Sequence, residues 1–195
     1  SESQRFVFEL IQNADDAAQN TNNEVHFDFF QNCLIVSHNG NPFSEDDIKA
    51  LTSAGSSTKK ADTTKTGYKG IGFKSVFGKS ERVTIFSDGY QFRFDKSRFE
   101  TVLPWQIIPI WTEPSELQKE VQDSLEKNKY AVSTIIEIKG IEQLEMDLNE
   151  LLNNGQILLF LRRVSKVSVS KNGHPLYLIE KKTLNKEACF SEVTL

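Results

Sequence analysis

The segment from Arg5 to Gln19 is so rich in apolar residues that it constrains the fold more than any other part of the chain. At about 100° per residue, one set of apolar side chains covers more than half of a helical wheel: Phe6, Val7, Phe8, Leu10, Ile11, Ala14 and Ala17. A narrow polar ridge at i, i+4 and i+7 interrupts this surface: Glu9, Asn13 and Asp16. Because polar groups on a mostly buried helix are unfavourable without partners, we expect the ridge to face a hydrated pocket, a metal ion or a ligand. The alternative is a solvated helix face that also includes Arg5 and Gln12.

A glycine-rich segment, Thr66-Gly67-Tyr68-Lys69-Gly70-Ile71-Gly72-Phe73-Lys74-Ser75-Val76-Phe77, lies further along the chain. Its glycines stand at i, i+3 and i+5 and lead into residues that can form a helix, so bare N–H groups would meet a helix N-terminus, where phosphate binds well. The preceding stretch from Ser56 to Lys65 is rich in hydroxyls and lysines, which is typical of a mobile, anion-binding flap. The spacing is neither that of a P-loop nor that of a dinucleotide fingerprint. An ordinary glycine-rich loop before a helix therefore remains the alternative.

Composition limits the classes of protein that this chain can belong to. Its 195 residues are 38% hydrophobic and 26% charged, which suits one globular domain with a substantial core. The net charge of −4 gives no general attraction to nucleic acid or to an acidic membrane, so anion binding must come from a local cluster. Cys33 and Cys189 are too few and too far apart for a disulfide framework or a CxxC metal site, which favours a reducing compartment.

The hydropathy and the two ends of the chain predict the cellular compartment and a larger parent protein. No apolar run is long enough to span a bilayer, and the N-terminus lacks the features of a signal peptide. We expect a cytoplasmic protein, with the nucleus as an alternative. The chain opens within a helical pattern and closes within a strand pattern, so we expect a fragment of a larger protein.

The remaining patterns alternate between hairpins and helices. Hairpin signals occur around Gln31-Asn32, Asp88-Gly89 and Asn172-Gly173, and helical patterns start at Ser44, Ser115 and Ile141, with a strand from Tyr130 to Lys139. There is no βαβ rhythm. The sequence therefore predicts an α+β two-layer sandwich with a mixed, largely antiparallel sheet that helices cover on one face.

Three motifs in this order carry a resemblance to a known superfamily: Glu9-Leu-Ile-Gln-Asn13-Ala-Asp-Asp16-Ala17, then Asn39-Gly40-Asn41-Pro42-Phe43, then Gly67-Tyr-Lys-Gly70-Ile-Gly72-Phe73. The set resembles that of the GHKL ATPases, which comprise gyrase B, the heat-shock-90 chaperones, histidine kinases and MutL. The sequences His38-Asn-Gly-Asn-Pro-Phe43 and Gly70-Ile-Gly-Phe-Lys-Ser-Val-Phe77 resemble most the sacsin and NO VEIN branch. The resemblance is close over about residues 5–80 and holds in outline beyond them.

The resemblance implies a role for each residue of the polar ridge. Glu9 corresponds to the general base that orients and deprotonates the water attacking the γ-phosphate. Asn13 corresponds to the amide oxygen that binds Mg²⁺, a hard cation that takes oxygen ligands. Asp16 corresponds to a residue that lines the pocket beside the nucleotide.

The other motifs imply the rest of an ATP site. The resemblance assigns phosphate contacts to the lid segment, with Gly67, Lys69, Gly70, Ile71, Gly72 and Phe73, and places a mobile ATP lid at about residues 53–69. It assigns the base end to the second motif, with His38, Asn39, Gly40 and Phe43, and to Thr134 on a later strand. A threonine in an alternating strand also needs no functional explanation.

One position departs from the family pattern, which reads Asp-x-Gly-x-Gly at the second motif. His38 stands where the aspartate accepts a hydrogen bond from the adenine amino group, and Pro42 replaces the second glycine. A neutral imidazole has one acceptor nitrogen that can take this hydrogen bond and loses it on protonation. The departure puts base selectivity in question, and a turn residue outside the pocket is the alternative for His38.

The resemblance implies a single GHKL-type, Bergerat-fold ATP-binding domain over residues 1–195. The expected function is binding of Mg²⁺ and ATP, with hydrolysis that drives conformational change in a larger chaperone-like, DNA-associated or defence-associated protein. For the isolated chain we expect slow or undetectable hydrolysis. The alternatives are a nucleotide-gated binding module without useful turnover and a phosphotransfer kinase, against which Glu9 counts. The expected partners are further domains of the parent protein and a second copy in an ATP-dependent dimer. We expect neither membrane nor direct nucleic-acid binding.

Overall fold

The computed structural model describes residues 2–53, 75–99, 104–153, 155–185 and 190–194. Within these ranges, nine strands form one sheet in the order β5-β4-β3-β6-β2-β1-β7-β8-β9. The strands are β1 Asn23–Phe29, β2 Cys33–His38, β3 Arg82–Ser87, β4 Tyr90–Asp95, β5 Ile110–Trp111, β6 Val132–Glu137, β7 Val164–Lys171, β8 His174–Asn185 and β9 Phe190–Thr194.

The sheet is mixed, and most of its strand pairs are antiparallel. Among the described strands, β1 and β7 pair in parallel and the other neighbouring pairs are antiparallel. The hairpins that the sequence predicts around Gln31-Asn32, Asp88-Gly89 and Asn172-Gly173 join β1 to β2, β3 to β4 and β7 to β8. The predicted α+β class with a largely antiparallel mixed sheet is confirmed.

One helix precedes the first strand, and the other described helices lie in connections between strands. They are α1 Glu2–Ala17, α2 Glu45–Ser53, α3 Lys119–Asn128, α4 Ile141–Leu152 and α5 Ile157–Phe160, together with helical residues 75–79 and short 3₁₀ turns at Lys96–Arg98, Trp105–Ile107 and Pro114–Glu116. Helix α2 starts after Ser44, as predicted, with a reciprocal cap in which the Ser44 hydroxyl accepts the Asp47 N–H while Asp47 accepts the Ser44 N–H. Within the described ranges, no helix combines the length and the apolar character needed to cross a bilayer.

The main core lies between the first face of the sheet, which we define by Phe27, Val36 and Ile136, and helices α1 and α4. These two helices contact each other, and α1 also contacts β1. The core includes residues from both layers: Phe6, Val7, Leu10, Ile11, Ala14, Phe27, Leu34, Val36, Ile85, Phe94, Ile136, Leu144 and Leu148. Helix α1 is therefore buried along most of its circumference, as its apolar pattern predicts.

A smaller core lies on the second face of the sheet, where helices were not expected. Val121 of α3 packs there with Ile35 and Ile135, whose side chains point away from the main core because strand residues alternate between faces. Ser124 of α3 also donates a hydrogen bond of 2.6 Å to the buried carboxylate of Asp28. The helix cover is thus heavier on the first face but includes one helix on the second.

Candidate functional site

The polar ridge of α1 lies at the edge of the main core. Glu9 and Asn13 are half-buried and Asp16 is exposed. Ala14, which lies between Asn13 and Asp16 in the sequence, is buried. The ridge is therefore in reach of water along its length and not enclosed by core packing. This placement suits groups that meet a solvated ligand.

Glu9 is held by a neighbour on its own helix. Arg5 Nε lies 3.1 Å from Glu9 Oε1, and the two side chains are 82% and 26% exposed. An i,i+4 pair as exposed as this contributes little, about 0.3–0.5 kcal/mol, so a ligand can displace it easily. Among the described residues, the second carboxylate oxygen of Glu9 has no partner, which leaves it able to hold a water molecule.

Asn13 stands one turn after Glu9 and offers an uncommitted amide. Its side chain makes no hydrogen bond to any residue that the structure describes. The described residues also contain no cluster of three or more His, Cys, Asp or Glu side chains that could hold a metal ion. A cation bound here would take the Asn13 oxygen and complete its shell with water and ligand oxygens, which is the usual habit of Mg²⁺.

Asp16 and Asp15 have different environments although they are adjacent. The exposed Asp16 pairs with Arg162 across 3.2 Å between Oδ1 and Nη2. Asp15 is only 5% exposed and accepts three backbone N–H groups, from Arg162 at 3.1 Å and from Arg163 and Val164 at 2.7 Å each. The sequence reasoning missed Asp15, and its signal is an acidic residue on the apolar side of a buried helix, where a carboxylate requires partners.

The second motif lies directly against the end of α1. The Asn41 N–H donates to the Ala17 carbonyl at 2.8 Å, and a Cβ atom on Gly40 would stand 2.8 Å from the same oxygen. Only glycine allows this approach without movement of the backbone. The turn is held further because Asn39 Oδ1 accepts the Glu24 N–H at 2.9 Å. The second motif therefore contacts α1 at Ala17, one helical turn beyond Asn13.

His38 and Thr134 lie on the same face of the sheet as α1. In the antiparallel register, His38 stands opposite Val132 and Thr134 stands opposite Val36. Directly opposed residues share a face, and Val36 and Val132 both belong to the main core. The buried Thr134 and the half-buried His38 are thus diagonal neighbours on the first face.

The two remaining parts of the predicted site are Phe43 and the lid with its glycine segment. Phe43 is 6% exposed within the main core, and its N–H donates to Ser87 Oγ at 2.7 Å. Phe43 therefore anchors the second motif on the core. The lid beyond Ser53 lies outside the described residues, and so do Gly67, Lys69, Gly70, Ile71, Gly72 and Phe73.

The helix that follows the glycine segment is anchored on the first face. Residues 75–79 are helical, as the sequence predicts, and Val76 is buried in the main core. Phe77 makes edge-to-face contacts with Phe94 and Trp105, with ring centroids 5.2 and 5.6 Å apart. Residues 75–79 therefore pack on the first face, which also carries α1.

An open groove of about 1530 Å³ lies elsewhere, near β3 and β4. Two arginines of its lining are paired, since Arg93 lies 2.9 Å from Glu116 and Arg82 lies 3.0 Å from Asp95. None of the ridge residues, all of which the structure describes, lines this groove. The groove is therefore separate from the ridge, and we place the candidate site at the ridge.

Comparison with known proteins gives the family of the chain. A model of the Sacsin domain family matches residues 1–98 of the 195. Protein NO VEIN of Arabidopsis thaliana is 38% identical over 113 residues, which cover 56% of this chain and 4% of that protein. Sacsin of Homo sapiens is 35% identical over 86 residues, which cover 35% of this chain and 2% of that protein. The chain thus spans a small part of the length of both relatives, and by the extent of the family match it belongs to the Sacsin domain family.

Proposed function

We propose that this domain binds a magnesium-bound nucleoside triphosphate between α1 and the first face of the sheet and hydrolyses it. ATP is the nucleotide that the resemblance to the GHKL ATPases implies. The observation that supports the proposal most is the contact of Gly40 and Asn41 with Ala17, because it brings the second motif to the end of the polar ridge. Two motifs that are over 20 residues apart in the chain thereby meet at one place.

Two residues of the polar ridge, Asn13 and Glu9, have chemical roles in this proposal. The Asn13 amide oxygen would hold Mg²⁺, which would supply positive charge to neutralise the phosphates. Glu9 accepts a proton from the attacking water through the carboxylate oxygen that Arg5 does not hold. Gly67, Gly70 and Gly72, which the resemblance assigns to the phosphates, lie outside the described residues, and their N–H groups would stabilise phosphate in the same way as a helix N-terminus does.

One observation favours a second candidate, a nucleotide-gated binding module without useful turnover. Arg5 Nε donates to Glu9 Oε1 at 3.1 Å, so this carboxylate oxygen already has a donor and is not available to a water molecule. In this candidate the Arg5–Glu9 pair persists when nucleotide binds. Turnover by the wild type and by Arg5→Ala separates the two candidates, because release of the base raises turnover only if Glu9 acts on water.

The setting of the domain is also part of the proposal. The relatives are far longer than this chain, which spans 4% and 2% of their lengths, so nucleotide binding would change the conformation of a larger intracellular, chaperone-like or DNA- or defence-associated protein. We also propose that the domain dimerises when ATP binds. Light scattering with and without Mg²⁺ and nucleotide tests this last point.

Calorimetry tests the binding proposal. We expect the chain to take up a non-hydrolysable ATP analogue in the presence of Mg²⁺, and Asn13→Ala to weaken this binding about tenfold or more, since a metal ligand is lost. Gly70→Val should weaken it as well. Gln12→Ala is the matched control, because Gln12 is the exposed amide next to Asn13 on the same helix. Absence of uptake by the wild type, or equal effects of Asn13→Ala and Gln12→Ala, contradicts the proposal.

Turnover tests the role of Glu9. If the domain hydrolyses nucleotide, Glu9→Gln should abolish phosphate release and leave binding of the analogue intact, because the amide keeps the shape of the side chain but cannot accept the proton. Phosphate release that survives in Glu9→Gln contradicts the role of general base.

A further inference from the structure

The groove near β3 and β4 lies on the second face of the sheet, beside helix α3. Arg93 stands opposite Thr84, which in turn stands opposite Ile135 on β6. Directly opposed residues share a face, and Ile135 packs with Val121 of α3 in the smaller core. Arg93 and Thr84 therefore belong to the floor of the groove, and Val121 belongs to one of its walls.

Arg93 is a buried cation whose guanidinium is held on one side. Its side chain is 8% exposed, and Nε donates to Asp95 Oδ2 across 3.4 Å. Nη1 donates to Thr112 Oγ1 at 2.8 Å and to Glu116 Oε2 at 2.9 Å. Nη2 has no hydrogen-bond partner among the described residues and is not enclosed, so its two N–H donors open onto the groove.

Two more arginines converge on the carboxylate that holds Arg93. Asp95 is 1% exposed, and its Oδ2 lies 3.0 Å from Arg82 Nε and 3.9 Å from Arg98 Nε. Arg82 also reaches Glu137 at 3.3 Å, whereas Arg98 makes no other ion pair with a residue that the structure describes. Three guanidinium groups thus surround one buried carboxylate, and two of them keep unused donors.

The charged groups of the groove that lack an ion-pair partner are predominantly cationic. Lys139 is exposed and makes no ion pair within the described ranges. Glu81 is held by Lys96 at 2.7 Å. Glu142 is exposed and is the lining carboxylate for which no described residue provides a cation. The unused donors of the two arginines and of Lys139 thus outnumber this carboxylate, which favours an anionic ligand.

We propose that this groove binds an acidic peptide segment, with one aspartate or glutamate side chain of that segment on Arg93 Nη2 and Arg98. Both guanidinium groups contact Asp95 Oδ2, so one incoming carboxylate can meet both. The groove measures about 1530 Å³, more than the roughly 300–1,000 Å³ of most small-molecule sites. Its lining also includes half-buried apolar side chains such as Leu117 and Phe99, which suit the apolar residues of a peptide.

Nucleic acid matches the groove less well than an acidic peptide does. The net charge of the chain is −4, and several carboxylates lie along the lining. These charges repel a ligand that carries a negative charge on every residue, whereas a peptide can place one carboxylate on the arginines and neutral groups elsewhere.

Fluorescence anisotropy with synthetic peptides tests the proposal. The probes are a set of short labelled peptides that combine glutamate with leucine or phenylalanine at different spacings, each with a copy that carries glutamine instead of glutamate. We expect members of the glutamate set to bind about tenfold or more tightly than their glutamine copies, because a charged acceptor strengthens hydrogen bonds from guanidinium. Added salt should weaken this binding, since the groove is open to solvent.

Three variants assign the binding to the groove. Arg93→Lys keeps the charge but loses the fork of donors, so it should weaken binding of the glutamate peptides about tenfold. Because this change also disturbs contacts within the fold, Arg98→Met is the second variant. Arg98 is 61% exposed, and its removal should weaken binding about threefold and leave the melting temperature unchanged. Lys182→Met is the control, since it removes one exposed cation on β8, towards the other end of the sheet, and should change neither.

The result does not depend on the proposed nucleotide site, because no nucleotide is present. Absence of binding across the peptide set, or equal affinity of the glutamate and glutamine peptides, overturns the proposal. Affinities that Arg93→Lys and Arg98→Met leave as they are in Lys182→Met also overturn it. Tighter binding of a single-stranded DNA oligonucleotide than of every glutamate peptide overturns it in favour of a nucleic-acid ligand.

Discussion

Removal of the Asp15 carboxylate should destabilise the domain more than most single substitutions. The side chain is buried and accepts the backbone N–H groups of Arg162, Arg163 and Val164. Asp15→Ala leaves three N–H groups without their acceptor at the start of β7. Since a buried, unsatisfied donor costs about 1–3 kcal/mol and water can reach part of this loop, we expect a loss of about 3–5 kcal/mol. This is a large share of the roughly 5–15 kcal/mol that stabilises a typical domain.

Urea unfolding followed by the fluorescence of the buried Trp105 measures this loss. A domain of this size has an m value of about 2–3 kcal/mol/M, so the midpoint should fall by about 1–2.5 M. Asp15→Asn should lie between the wild type and Asp15→Ala, because its amide oxygen still accepts two of the three N–H groups while its NH₂ group faces the third donor.

The adjacent Asp16 provides a matched control for Asp15. Its ion pair with Arg162 is exposed, so Asp16→Ala should change stability by no more than about 1 kcal/mol. If Asp15→Ala and Asp16→Ala shift the urea midpoint equally, the carboxylate of Asp15 does not hold the loop and the reasoning fails.

Two further predictions concern packing and pH. Gly40→Ala should lower stability by about 1–3 kcal/mol, because its Cβ meets the Ala17 carbonyl at 2.8 Å. The control Gly78→Ala, whose Cβ meets nothing within 4 Å, should be neutral or stabilising. Equal shifts of the two melting temperatures refute this difference. Burial lowers the pKa of His26 from its usual 6.5, and its Nε2 has no hydrogen-bond partner among the described residues. Its neutral form is therefore favoured in the folded state, and the resulting stability is present above pH 6.5 and lost as the pH falls below that value. Urea unfolding at pH 7.5 and 5.5 should show this loss in the wild type and a smaller one in His26→Phe, and an equal loss in both contradicts it.

Local patterns were sufficient for the elements of the fold and for the ridge. The burial of α1 follows from apolar residues within one helix, and the turns at Asp88-Gly89 and Asn172-Gly173 follow from residues that tolerate positive φ, as at Gly89, Asn172 and Gly173 in the structure. Such signals act over a few residues, which is why they can be read without knowledge of the rest of the chain.

Contacts between distant segments could not be predicted in this way. Asp15 has its partners almost 150 residues further along the chain, and nothing in the local pattern tells which segment supplies them. The parallel pairing of β1 with β7 and the place of α3 on the second face likewise depend on which segments meet. The apolar residues of α3 predict that one side of the helix is buried but not which face of the sheet buries it.

The membership of Thr134 in the candidate site shows most directly what the register of the sheet adds to the sequence. Alternation along β6 divides its residues between two faces but does not tell which set meets α1. The pairing of Thr134 with Val36 and with Ile85 decides this, because both partners belong to the main core on the first face. A slip of one residue would turn Thr134 toward α3 and bring Ser133 or Ile135 to the first face. The polar ridge can therefore be recognised from the sequence of one helix, whereas the opposite wall of the site exists only through the pairing of three strands.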